Sequence, residues 1–464
     1  MIRTRLGILV FAALLAACGG GDGGGPLVPA TCSVSTEKNF VRDATNEWYL
    51  FPELLPAQVN PSDFATAQDL LDFMTATARD QGKDRYFSYV TTKEADNSFL
   101  REGEFIGFGV RLRIDGSRVF FMEAFENSPA SEAGIGRGDE LLEVNSGDGW
   151  VPVPNLLATD PTLSDAFGPA EVGVQRGFRF RTVGTNTVVE SSLTKRIVTI
   201  QPIPDGGVKV LPLPGNPAIE AGYVNLRSFI STADPRLREA FGQFAARGIQ
   251  NVIVDLRYNG GGLISTAELM GDVMGALRQP DDVFNNLRFR ASKASSDETR
   301  YFMPIAGVSV DAVNVAFITT AASASASELT VNGMKPWAHV AIVGADSFGK
   351  PVGQSAFDLD DRCDLRLRLV TLRSTNADEE GDYYDGLAAT LPGAACAADD
   401  DLLRPMGDPG EASTAEALNW LATGACSTII SAVPGARKPS IGQQSIYPVP
   451  GRPTPAQAYL PGLY

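Results

Sequence analysis

The period of the apolar positions changes along the chain. Between Asp69 and Arg79 they fall at Leu70, Leu71, Met74 and Ala78, which is the face of a helix. Trp48, Tyr49, Leu50 and Phe51 form an apolar plug ahead of Pro52, and residues 33–103 together read as a small helical N-terminal cap. From 104 to 200 the pattern becomes that of short strands with glycine-rich turns: Ile106–Val110, the alternating Val119–Phe125, and Glu140–Asn145. Residues 201–430 alternate strands with helices. Gly222–Leu226, Asn251–Leu256, Val313–Ile318 and Val340–Val343 are strand-like runs, and Leu237–Ala246 is helical, which predicts an α/β core. After Cys426 the periodicity fails and the chain is proline-rich from Pro434, so 431–464 is expected to be an extended tail. The expected architecture is an α/β multidomain chain: cap, β-rich module with short helices, α/β core.

Length and composition fit that organisation. The chain has 464 residues, 44% hydrophobic and 20% charged, enough apolar material for two or three domains. Its net charge of −16 repels phosphate backbones and argues against nucleic-acid binding.

The N-terminus reads as an export signal. Arg3 and Arg5 precede the apolar stretch Leu6–Leu14, which is too short to span a bilayer. Leu15-Ala16-Ala17-Cys18-Gly19 resembles a bacterial lipobox. The resemblance implies cleavage of 1–17, lipid on Cys18, and a glycine-rich tether over 18–32. Cleavage removes two arginines and no acid, taking the charge from −16 to −18. Gly19 lacks the aspartate that retains many lipoproteins in the inner membrane. The expected location is therefore the cell envelope, at the outer membrane facing the periplasm, with the lipid as the sole membrane attachment. Cys32, Cys363, Cys396 and Cys426 remain as an even set in an exported chain, hence as two disulfides. Of the three pairings, Cys363–Cys396 and Cys32–Cys426 are expected, the first closing one excursion and the second tying the N-terminal segment to the final helix. No cysteine or histidine spacing suggests a metal site. The acidic run Asp378–Asp382 lacks calcium-loop spacing and reads as a solvated loop.

Within 104–200, Ile106-Gly107-Phe108-Gly109-Val110, then Ser128-Pro129-Ala130 with Ala133-Gly134-Ile135, then Gly138-Asp139 occur in the order of a PDZ domain, which this region resembles. The resemblance implies that Gly107, Phe108, Gly109 and Val110 bind the carboxylate of a peptide. Glycines allow successive N–H groups to converge on an anion, while the peptide adds as a strand.

Two further motifs carry chemistry. Ser323, Ser325 and Ser327 alternate with alanines ahead of Glu328, and Phe348-Gly349-Lys350-Pro351-Val352-Gly353-Gln354 follows. The single histidine, His339, lies in an apolar run that reads as a buried strand, so a histidine-based hydrolase has only one candidate base. A lysine serves as a base when burial among uncharged neighbours lowers its pKa, and Phe348, Gly349, Pro351 and Val352 carry no charge. With Asp255–Gly262, where a glycine run follows a buried strand, these motifs are similar to those of the carboxy-terminal processing peptidases, also called tail-specific proteases, over roughly 104–425.

That resemblance implies a crotonase/ClpP-like core and a serine endopeptidase. Ser325 would be the nucleophile, Lys350, 25 residues on, the general base, and Gln354 the group that orients it. Gly261 and Ala326 would supply the oxyanion-hole N–H groups, without any cofactor. Substrates would be proteins or peptides with free C-termini, with a regulatory partner left open. Asp255 and Arg257 read as structural. Relatives often carry an aspartate at Pro336 and a glutamate at Ala345. The alternative is a catalytically silent peptide-binding lipoprotein of the same fold. An esterase is a third reading without distinctive support.

Overall fold

The computed structural model describes residues 32–430 and 447–464. The signal, Cys18 and the tether as far as residue 31 lie outside the described residues. The chain is an α/β multidomain protein, as its patterning predicts. Its centre is a six-stranded sheet in the order 208–213, 216–225, 251–255, 314–319, 339–344, 395–397; the last five strands run parallel. Strand residues alternate between two buried faces. Val252, Val254, Val315, Phe317 and Ile342 point to helices Ala233–Ala246, Ile264–Met274 and Ala326–Met334. Ile253, Ala316, Ile318, Ala341 and Val343 point to helix Ala412–Thr423. Burial on both faces explains the unbroken apolar runs in these strands. His339 opens strand His339–Gly344 but is exposed, whereas the residues that follow it are buried.

A second, antiparallel sheet of 283–289, 298–301, 352–358 and 365–375 is completed by 89–92 from the N-terminal region. Helices Val34–Trp48 and Ala67–Met74 pack on it, with Val41, Leu71 and Phe87 in one cluster with Phe348, Val352 and Leu367. The N-terminal region is thus part of the core's own packing. The predicted 69–79 helix breaks at Thr75, whose hydroxyl donates to the Leu71 carbonyl (2.9 Å), and resumes at Ala76–Asp80.

Residues 104–200 form a β-rich module. Strands 110–115, 118–124, 140–145, 150–152, 175–181 and 188–194 make one sheet, and 104–107 pairs with 196–199. Phe108, Phe121, Phe167, Phe178 and Phe180 fill its interior. Buried ion pairs join it to the core: Arg227 to Glu123 (2.6 Å), and Arg257 to Asp255 (2.9 Å), Glu411 (2.9 Å) and Asp400 (3.1 Å), with Asp400 also bound by Arg137 (2.7 Å). Asp255 and Arg257 are therefore structural.

The disulfides pair differently from expectation. Cys32 is bonded to Cys363 and Cys396 to Cys426, so Cys363–Cys396 and Cys32–Cys426 are corrected. Cys363 lies on the turn before strand Leu365–Thr375, against which helix Val34–Trp48 packs, which brings Cys32 to it. Strand Ala395–Ala397 bridges Ile429, so the chain after helix Ala412–Thr423 returns alongside Cys396. The tail also departs from expectation. Residues 431–446 lie outside the described residues, but 447–464 is packed against the protein, with a short helix at Pro455–Tyr459 and Tyr447, Leu460, Leu463 and Tyr464 buried. Among the described residues no helix is long and apolar enough to cross a membrane.

Candidate active site

Three loops at the ends of the parallel strands converge: Leu256–Gly262, Thr320–Ser325 and Ala345–Pro351. Ser325 caps helix Ala326–Met334 and is the one half-buried residue of the serine triplet. Ser323 Oγ donates to the Leu256 carbonyl (2.7 Å) and Ser327 Oγ to the Asn259 carbonyl (2.7 Å); both are buried. The flanking serines thus clamp the glycine loop to the start of the helix. Ser325 has φ +57°, an uncommon conformation for a residue with a side chain and one that clusters at functional sites. Gly261, at φ +109°, lies against it. A Cβ there would sit 2.8 Å from Ser325 Cβ and 3.0 Å from the Ala326 nitrogen, so only glycine fits.

Lys350 is buried at 6% exposure. Burial pulls its pKa down to about 8, against the opposing pull of Asp84 and Glu328. Its Nζ faces Gln354 Oε1 (3.4 Å) and the ring of Phe87 (4.9 Å to the centroid). Gln354 Nε2 donates to the Phe87 carbonyl, which fixes the amide so that its oxygen points at the lysine.

Glu328 connects the two motifs. Its buried carboxylate accepts the N–H of Ser325 (3.0 Å), Gly349 (2.6 Å) and Lys350 (2.7 Å), and the hydroxyl of Ser347 (2.6 Å). Burial raises its pKa in spite of these bonds. Sequence reasoning missed this role; the signal was present, because a glutamate three residues after a serine at a helix start is the spacing of a capping box. Arg85 was also missed. It donates to the carbonyls of Phe348 (3.1 Å) and Gly349 and lies over the Phe348 ring (4.2 Å). Nothing near Arg85 in the sequence signals this contact, which is tertiary.

The proposed oxyanion groups are at the same place, with one difference in direction. Gly261 N–H donates to Asn259 Oδ1 (2.9 Å) and is engaged there. The neighbouring Gly260 N–H faces the cleft and donates to the carbonyl of Tyr459 (2.9 Å). Ala326 begins the helix, where N–H groups lack intrahelical partners.

The predicted carboxylate loop lies in the β-rich module. Gly109 and Val110 N–H both donate to the main-chain oxygen of Tyr464 (3.0 and 3.1 Å). Phe108 is buried beneath them, and Gly107 has no room for a Cβ, which would lie 3.0 Å from the Tyr464 carbonyl carbon.

Residues 220–381 match the model of Peptidase family S41, and residues 36–89 match the Peptidase S41 N-terminal domain. A carboxy-terminal processing protease, CtpB, of Bacillus subtilis is 22% identical over 352 residues, covering 75% of this chain and 67% of that protein. A carboxyl-terminal-processing protease of Synechocystis is 24% identical over 270 residues, covering 58% of each. A solved structure from Bacteroides fragilis assigned to the S41 proteases superposes with a TM-score of 0.62 at 20% identity, covering 82% of this chain and 97% of that one, a likeness of fold. By these matches residues 36–89 and 220–381 fall with peptidase family S41, and the chain is similar to the carboxy-terminal processing peptidases.

Proposed function

We propose that this protein is a serine endopeptidase acting on the C-terminal regions of protein substrates, with Ser325 as nucleophile, Lys350 as general base and Gln354 as the group that orients the lysine. The observation that carries the reading is the buried Lys350, facing an uncharged amide oxygen at 3.4 Å, on a loop tied to the Ser325 N–H through one carboxylate. A lysine so placed is a base at mildly alkaline pH.

Ser325 Oγ attacks the scissile carbonyl carbon as its proton passes to Lys350 Nζ. The resulting oxyanion is held by Ala326 N–H and a glycine-loop N–H, either Gly260, which faces the cleft, or Gly261 once released by Asn259. As the C–N bond breaks, Lys350 returns the proton to the leaving amine. Water then attacks the acyl-Ser325 ester, again through Lys350, and frees the shortened chain. The reading takes residues 104–200 as a PDZ domain, in which Gly107–Val110 hold the substrate's carboxylate. Two disulfides favour an oxidising compartment and so export; lipid on Cys18 and residence in the outer membrane complete this reading.

Acid quenching during turnover of a peptide nitrophenyl ester, followed by peptide mapping, tests the mechanism. The acyl group is expected on Ser325. An acyl group on Ser323 or Ser327, or turnover that persists in Ser325→Ala, overturns the assignment.

A further inference from the structure

The segment 447–464 lies along the cleft as a substrate would. Residues 462–464 add as an antiparallel strand to 110–112. Leu112 N–H donates to the Gly462 carbonyl (2.8 Å), Tyr464 N–H donates to the Val110 carbonyl (2.9 Å), and Arg111 bridges Leu463. The Tyr464 oxygen takes both N–H groups of the Gly109–Val110 loop. Its ring enters the aromatic interior of the module, 4.6 Å from Phe167, in one cluster with Phe108 and Phe178, and its hydroxyl donates to the Thr162 carbonyl. Alternate-residue insertion with main-chain pairing is how a sheet edge takes a peptide.

Upstream, the same segment crosses the Ser325–Lys350 site. The Tyr459 carbonyl accepts Gly260 N–H, its hydroxyl reaches Gln354 Oε1 (3.3 Å), and its ring lies 6.0 Å from Lys350 Nζ. Val449, Ala458 and Pro461 close the cleft over Lys350, leaving a cavity of about 20 Å³. That is room for about one water molecule and none for a peptide. No substrate enters while this segment stays.

We propose that the groove at Gly109–Val110 selects peptide strands that place a large aromatic side chain among Phe108, Phe167 and Phe178, and that residues 454–464 occupy it as a tethered ligand of that kind, which an incoming substrate must displace. The proposal rests on the reading of residues 104–200 as the carboxylate-binding module. The pocket explains the selectivity. A tyrosine ring fills a space walled by Phe108, Phe167 and Phe178 and places a donor on Thr162, whereas alanine leaves that space empty. A covalently joined ligand competes at an effective concentration on the order of millimolar, so the intact protein admits free peptides only weakly.

Binding separates this proposal from the peptidase reading. In the full chain carrying Ser325→Ala, a fluorescent peptide with the sequence of residues 455–464 is titrated by anisotropy. Tyr464→Lys, which cannot bury its charge among these rings, and Gly462→Val, whose Cβ would meet the Leu112 oxygen at 2.3 Å, are each expected to bind the peptide at least tenfold more tightly than the parent. Tyr464→Phe is expected to match the parent. On the vacated groove, the same peptide ending in alanine, or amidated, is expected to bind at least tenfold more weakly. Equal affinity of parent and vacated proteins, equal affinity for tyrosine- and alanine-ended peptides, or no binding anywhere overturns the proposal. A check without substitution is hydrogen exchange in the parent protein, where slow exchange at Gly109, Val110 and Leu112 is expected and fast exchange overturns it. This binding pattern in a protein that cleaves nothing would sink the peptidase reading alone.

Discussion

Among single residues, Lys350 and the Glu328 carboxylate that positions its loop matter most to the proposed chemistry. A base must be neutral, and the neutral fraction of Lys350 grows as pH rises through its lowered value of about 8. The rate of cleavage is therefore expected to climb with pH and reach half its maximum near 8; a profile flat from pH 6 to 9 would contradict a lysine base. Glu328→Gln keeps the shape but removes the charge that three N–H groups share. A fall in kcat of about tenfold to a hundredfold is expected, with KM little changed and a stability loss of about 1–3 kcal/mol for the impaired buried bonds. An unchanged kcat would remove Glu328 from the positioning of the site. Ser325, Lys350 and Gln354 could be singled out because each sits in a short motif that resembles a family pattern, and their roles belong to the proposal. Glu328 was quoted with its motif and given no role, because only the fold shows that its carboxylate reaches the lysine loop.

At the scale of elements, the strands of the central sheet were legible because residues buried on both faces produce unbroken apolar runs. The disulfide partners were not, because pairing depends on which turns lie side by side. Non-reducing peptide mapping is expected to find Cys32 with Cys363 and Cys396 with Cys426; any peptide joining Cys363 to Cys396 would contradict this fold. Losing the Cys32–Cys363 link, which spans 331 residues, is expected to cost about 2–5 kcal/mol in thermal or denaturant unfolding. The seat of residues 447–464 was also illegible. Tyr459, Leu460 and Leu463 pack in one cluster, whereas Tyr464 enters the β-rich module and Tyr447 lies with Met122 and Tyr258, partners that only the fold brings to this proline-rich stretch.

At the scale of the whole molecule, buried charge links the β-rich module to the core. Arg257 is 1% exposed and holds Asp255, Asp400 and Glu411 together, while Asp400 is shared with Arg137 of the module. Removing the guanidinium leaves buried carboxylates without a counter-charge, so Arg257→Ala is expected to destabilise the protein by about 3–5 kcal/mol; a loss under 1 kcal/mol would deny the network that role. The module and the core thus share one buried charge network, with a single segment of the chain lying across both. The most direct test of the peptidase reading is digestion of an unfolded protein by the Tyr464→Lys chain, alone and with Ser325→Ala or Lys350→Ala added. Cleavage that disappears with either added substitution is the predicted result; cleavage that survives Ser325→Ala, or none in any of the three while the free C-terminal peptide still binds, would contradict it.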